Sequence, residues 1–309
     1  EHDLDNVAKY TTFKTKGKKF QQEPTQQEIV EFKEEHPLGW IETKELKSPK
    51  GAKSYWKRWN IAENLHVNID GFRFDFGTGG LHGSLSNTIV RSDDEYIIID
   101  YDVASYYPNL AIANRAYPEH LSERFCDIYE DVYQQRKGHA KGTAENALLK
   151  LALNGVYGDS NNQYSPFYDP KYTMTITING QLSLCMLVER LLSLEGVSMI
   201  QANTDGITIK CLRNHSDQAD ASEEGWEVDT GLKMERADYS AMYLRDVNNY
   251  IAVYTDGKTK RKGAYEYEGL GWHQNQSALI IPMAAEHAMV HGGDVEEFIR
   301  SHKDPYDFM

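Results

Sequence analysis

The chain has 309 residues, 40% of them hydrophobic and 26% charged, enough for a large core and more than one folded unit, in the proportions of an ordinary globular protein. Its formal net charge of −14 excludes a general nucleic-acid coat, because phosphate binding is driven by cations that displace condensed counterions. No apolar run approaches the ~20 residues of a membrane span, and the start, EHDLDNVAKY, lacks the basic-then-apolar pattern of a secretory signal.

Positive charge is local. It crowds at 14–19 (KTKGKK), 44–58 (KELKSPKGAKSYWKR) and 258–262 (KTKRK), while acids gather at 217–229. Such runs are either solvated surface or the lining of a groove. Cys126, Cys185 and Cys211 are scattered without metal-ligand spacing and suit reduced thiols, so the cytoplasm, a host cell's if the gene is viral, is the expected setting.

In chain order, residues 1–75 read as irregular, apart from a Gln/Glu-rich stretch at 21–35 that suits one surface helix. YIIIDYD at 96–102 is a short apolar strand closing on two acids. Phe125, Ile128, Tyr129 and Val132 give 122–137 helical periodicity, GHAKG at 138–142 breaks it, and a second helix follows at 143–157, making a helical hairpin with a glycine-flanked tip. A loop at 158–170, a helix near 179–195, a β-hairpin at 198–210, an alternating stretch at 243–267 and helical spacing at 277–302 complete the chain. Helices interleaved with hairpins imply an α+β fold on an antiparallel sheet.

The hairpin SMIQANTDGITIK turns through Asn203, Thr204, Asp205 and Gly206. Asp and Gly are common turn residues, but an aspartate there also supplies half of a two-metal site, which needs a carboxylate from each of two neighbouring strands to hold two ions about 4 Å apart. The strand end Asp100-Tyr101-Asp102 offers the other half, its two acids on one face. Between them, KLALNGVYG places Lys150, Asn154 and Tyr157 along one helix face. That pattern suits a plain amphipathic helix, with Leu149, Leu153 and Val156 inward, and equally a lysine that neutralises a triphosphate.

At these residues the sequence resembles the family B DNA polymerases. DVASYYPNL is similar to their first palm motif (Asp-x-x-Ser-Leu-Tyr-Pro-Ser-Ile). KLALNGVYG matches the fixed positions of their fingers motif (Lys-x-x-x-Asn-x-x-Tyr-Gly), and ANTDGI resembles their Tyr-x-Asp-Thr-Asp-Ser hairpin. FGTGGLHGS at 76–84 resembles the glycine-containing segment between proofreading and polymerising domains, and KRKG at 260–263 their Lys-x-Lys-Gly primer-strand motif. The resemblance covers about residues 70–309 and looks most like a bacteriophage replicative enzyme. Asn203 departs from it, standing where the family has its first hairpin aspartate.

The resemblance implies a polymerase palm with an antiparallel sheet, short two-helix fingers and a partial thumb: an N-terminal remnant or linker at 1–75, palm at 76–121 and 159–268, fingers at 122–158, and the start of a thumb at 269–309. It implies template-directed DNA polymerase activity by two-metal phosphoryl transfer. Asp102 and Asp205 would hold two Mg²⁺ ions, Mn²⁺ being able to substitute, with the Val103 carbonyl as a further ligand, and Asp100 is expected to be a supporting surface acid. Backbone amides of Ser105 and Tyr106, the fingers residues Arg136 and Lys141, and Lys150 would meet the triphosphate, with Lys150 able to protonate the departing pyrophosphate. Asn154 and Tyr157 would pack on the incoming nucleotide, and Tyr107 would lie beneath its sugar. Gly79, Gly80, Lys260, Arg261 and Lys262 would touch primer-template DNA. The expected partners are DNA, deoxynucleoside triphosphates and other parts of a longer or split polymerase. No proofreading exonuclease motifs are legible. A non-catalytic nucleic-acid-binding remnant, which Asn203 favours, and a metal-dependent nuclease, which has no use for Lys150, are the competing readings.

Overall fold

The computed structural model describes residues 25–27, 30–31, 40–47, 53–60, 66–77, 79–272 and 274–309. In chain order the strands are β1 (Trp40–Lys47), β2 (Lys53–Asn60), β3 (His66–Ile69), β4 (Phe72–Gly77), β5 (Gly80–Ser84), β6 (Thr88–Arg91) and β7 (Tyr96–Val103). Helices α1 (Tyr106–Ala113), α2 (Arg124–Lys137), α3 (Ala144–Asp159) and α4 (Pro170–Leu192) follow. Then come β8 (Ser198–Asn203), β9 (Gly206–Leu212), α5 (Ser216–Thr230), β10 (Met234–Asp246), β11 (Asn249–Tyr254), β12 (Thr259–Lys262), α6 (Ile280–His291) and α7 (Val295–Ser301). The fold is α+β on antiparallel strands, as expected. Among the described residues no helix is long and apolar enough to cross a membrane.

The chain divides into two compact units. The first takes the residues up to His82, Val103–Leu187 and Gly225–Met234. Its strands β1 and β2 pair antiparallel, Trp40 opposite Asn60, and β3, β4 and β5 form a meander, so much of the stretch read as irregular is strand. Trp, Tyr, Ile and Thr favour strands, but the lysines between them hid that signal. Four described positions of the Gln/Glu-rich stretch, at 26, 27, 30 and 31, are helical; the rest of it and the basic run at 14–19 lie outside the described residues.

The expected helical hairpin is α2 and α3. Tyr129, 4% exposed, donates its hydroxyl to the Leu153 carbonyl, while Phe125 packs edge-on to Phe167 and Tyr172. At the tip Gly138 ends α2, Thr143 caps α3, and the Asn146 amide donates to the His139 carbonyl at 2.8 Å. Helix α4 starts nine residues before the expected position, because Asp169 accepts the amides of Lys171 and Tyr172 at 2.9 and 3.0 Å and Pro170 takes the first helical position.

The second unit takes Gly83–Asp102, Val188–Glu224 and Glu235–Met309. Its strands lie in the hydrogen-bonded order β12-β11-β10-β7-β9-β8, with β6 on β10. Period-two alternation sends Met242, Leu244, Tyr250 and Ala252 to one face with Ile98 and Ile200. It sends Ala241, Tyr243, Ile251 and Val253 to the other, where Met289 and Val290 of α6 pack. With both faces covered, β7 must be apolar along its length, which explains the isoleucine run at 97–99.

Candidate functional site

In the second unit β7 pairs with β9 from Tyr96 opposite Leu212 to Asp102 opposite Gly206, and β8 closes onto β9 with Asn203 opposite Gly206. The turn is therefore only Thr204 and Asp205. Thr204 takes the left-handed region at φ 61°, which costs a β-branched residue about 1–2 kcal/mol, and the Asp205 amide bonds back to the Asn203 carbonyl at 2.6 Å. This register sets Asp205 beside the strand end that carries Asp102. Gly206 is part of the fit: a Cβ there would come within 2.6 Å of Asp102 Oδ1 and 3.1 Å of the Tyr101 carbonyl.

A cavity of about 120 Å³ opens at this point, lined by Asp100, Asp102, Gln201, Asn203, Asp205, Gly206, Thr208, Tyr250, Lys260 and Lys262. Desolvation first, then the Asp205 charge, push the Asp102 carboxyl up to about 6; desolvation likewise raises Asp205. Two crowded carboxylates whose charged forms cost energy are a pair that gains by meeting a cation.

Asp100 differs from the expected surface acid. It is 8% exposed, its Oδ1 accepts from Thr208 Oγ1 at 2.6 Å and its Oδ2 from Tyr239 Oη at 2.6 Å, with Lys260 Nζ at 3.3 Å. Its oxygens are taken, so the donors open to a cation are the carboxylates of Asp102 and Asp205. Among the described residues no group of three or more His, Cys, Asp or Glu side chains stands ready to hold a metal. A two-carboxylate set still fits Mg²⁺, which prefers hard oxygens and is commonly held by one or two carboxylates with the substrate's phosphates and water completing the shell.

The expected DNA-contact strand β12 is divided in use. Lys260 faces Asp100 within the cleft. Arg261 is engaged in an ion pair with Glu286 of α6, bonds to Glu268 at 2.8 Å and lies over the Tyr267 ring, so it anchors β12 rather than reaching toward a nucleic acid. Lys262 is exposed and lines the cleft.

In the first unit, Arg136 Nη1 donates to Ser105 Oγ at 2.6 Å, while its buried Nε has no hydrogen-bond partner. Ser105, at φ 51°, precedes α1 without a side-chain cap on that helix. Tyr106 contributes only backbone there, because its ring is buried and its hydroxyl bonds Ser183 and the Gly180 carbonyl. The Tyr107 ring stacks on Tyr157 at 3.9 Å, and its hydroxyl donates to the Gly79 carbonyl at 2.7 Å in the turn before Gly80. Tyr157 also bonds Thr177 Oγ1 at 2.7 Å. Lys150 and Asn154 are exposed on α3, and Lys141 is exposed at the hairpin tip.

Sequence reading missed Tyr239, Thr208, Gln201 and Tyr250 as parts of the cleft. Only Thr208 carries a usable signal, a polar residue that alternates with Ile207 and Ile209 on the strand after the turn and so takes the opposite face, where it too is buried.

No protein-family model matches the chain, and no curated protein does. Among solved structures it is similar to the family B DNA polymerase from the hyperthermophilic archaeon Pyrobaculum calidifontis, with 14% sequence identity and a TM-score of 0.43 over 78% of this chain and 34% of that one. The chain thus spans about a third of that polymerase's length.

Proposed function

We propose that the chain is the core of a template-directed DNA polymerase, adding deoxynucleoside triphosphates to a primer 3′ end. The observation that carries this reading is the paired strand-end carboxylates of Asp102 and Asp205, desolvated together in one small polar cleft with lysines beside them. Mg²⁺ bound there would supply the charge neutralisation and nucleophile activation that phosphoryl transfer needs.

The chain's own groups take the remaining roles. Arg136, Ser105 and the first amides of α1 would orient a triphosphate, and Lys150 would offset its charge and protonate the leaving pyrophosphate. Tyr107, fixed by Gly79 and Tyr157, would exclude a 2′-hydroxyl. Lys262 and the Gly79–Gly80 turn would meet primer-template DNA, and Arg261 is not assigned to it. In this reading 76–121 and 159–268 are palm, 122–158 fingers and 269–309 the start of a thumb, with other parts of a longer or split polymerase as partners.

Primer extension with each deoxynucleotide alone, on four templates differing in one base, tests it. Addition of the complementary nucleotide alone, dependent on Mg²⁺ or Mn²⁺, is expected. Shortening of the primer would favour the nuclease reading, and binding without extension the non-catalytic one.

A further inference from the structure

Asp100 lies two residues before Asp102 on one face of β7, yet its surroundings are of another kind. It is buried, and both of its oxygens accept hydroxyl protons, from Thr208 across the β7–β9 ladder and from Tyr239 on β10. Both oxygens are thus engaged within the protein, which leaves Asp100 less available to a cation than Asp102 and Asp205. The same carboxylate meets Lys260: the ammonium lies 3.3 Å from Asp100 Oδ2 and 3.2 Å from Tyr239 Oη. Burial is the largest single influence on Lys260 and works against its charge, but Asp100 and, after it, Tyr250, Asp102 and Tyr254 together raise the ammonium above the ordinary lysine range. The field of Asp100 also reaches Asp102 and Asp205.

We infer that Asp100 is a positioning residue that holds the Lys260 ammonium in the cleft as an internal counter-cation, and that this pair sets how tightly Asp102 and Asp205 take a divalent cation. The inference rests on the polymerase reading for the cation's role, and on the cleft alone for its energetics. Removing the ammonium deepens the negative potential at the two free carboxylates; removing the Asp100 charge does the opposite. A purely structural role has no reason to produce opposite signs.

The test is Mn²⁺ binding to the full chain at pH 8, followed by electron paramagnetic resonance without DNA or nucleotide, with Asp102→Asn marking the site. Lys260→Gln should tighten binding about tenfold and Asp100→Asn weaken it about tenfold, the size expected of one charge in a partly solvated cleft. The double variant should return to within about threefold of wild type, because together the changes remove a neutral pair. Shifts of the same sign, no shift, or losses that add in the double variant would overturn the inference. If Asp100→Asn fails to fold, Lys260→Gln alone still decides it: tighter binding supports the inference, and unchanged or weaker binding overturns it. A wild-type chain with no Mn²⁺ site sensitive to Asp102→Asn also overturns it; if that chain extends primers, the polymerase reading stands, and if it does not, both fall.

Discussion

The carboxylate cleft of the second unit and the helical hairpin of the first are built on opposite plans. In the cleft, paired strands hold the side chains close: Asp100 has three partners, and Gly206 leaves room for the Asp102 carboxylate and little more. On the hairpin, Lys150 and Asn154 stand in solvent, Leu148 and Leu151 are 66% and 70% exposed, and Arg136 keeps a buried Nε without a partner. The contrast teaches where this molecule invests order in advance. In the proposed reading, the charges that would meet a cation sit at paired strand ends and the turn between them, while the groups that would meet a flexible, highly charged substrate sit on an exposed hairpin.

The largest effect should come from emptying the ordered side. Asp102→Asn is expected to lower single-turnover nucleotide addition by about 10³-fold or more, with unchanged circular dichroism and a melting temperature that holds or rises, because the substitution relieves a desolvated, repelled charge. Equal losses of activity and helicity would mean that Asp102 supports the fold.

Next comes the sugar. Tyr107→Val should reduce discrimination against ribonucleotides by about 10²-fold, since exclusion of a 2′-hydroxyl by a ring is steric. The ratio of specificity constants measures it, and an unchanged ratio would remove Tyr107 from sugar choice, with Tyr106 already excluded by the burial of its ring.

On the open side, Lys150→Ala should cost about 10- to 100-fold in kcat/KM and leave thermal stability untouched, since the side chain is exposed. A normal rate at saturating nucleotide would take it out of the chemistry. The smallest change sharpens the comparison: Gly206→Ala adds one methyl group against Asp102 Oδ1 and should slow addition about tenfold by displacing that carboxylate. The same substitution at Gly155, where a Cβ meets nothing within 4 Å, should pass unnoticed. Equal tolerance at both glycines would contradict a tightly fitted cleft.

Much of this was legible in the sequence, for physical reasons that also explain the gaps. The helical hairpin shows because its apolar residues recur at helical spacing, and the β-hairpin because Asn203, Asp205 and Gly206 are turn chemistry between alternating strands. The true start of helix α4 is hidden in the sequence because the Asp169-Pro170 cap sits in a stretch of turn-forming residues. Asp100 reads as a surface acid in the sequence because nothing local announces Tyr239, 139 positions away. Arg261 looked like one more phosphate contact because its partner Glu286 lies in a helix 25 residues on. Local periodicity is written in the chain; long-range pairing of buried charges is not.

The central claim is that Asp205, with Asp102, carries the chemistry and that Asn203 does not. Asn203 lines the same cleft, but its side chain is a neutral amide that donates to the Val247 carbonyl at 3.5 Å, whereas Asp205 brings a carboxyl, raised by desolvation. Single-turnover primer extension at saturating Mg²⁺, comparing Asp205→Asn with Asn203→Ala in folded protein, tests this directly. A loss of about 10³-fold or more for Asp205→Asn against no more than about tenfold for Asn203→Ala is the predicted result. Equal losses in the two variants, or an Asp205→Asn variant that extends primers normally, would contradict it.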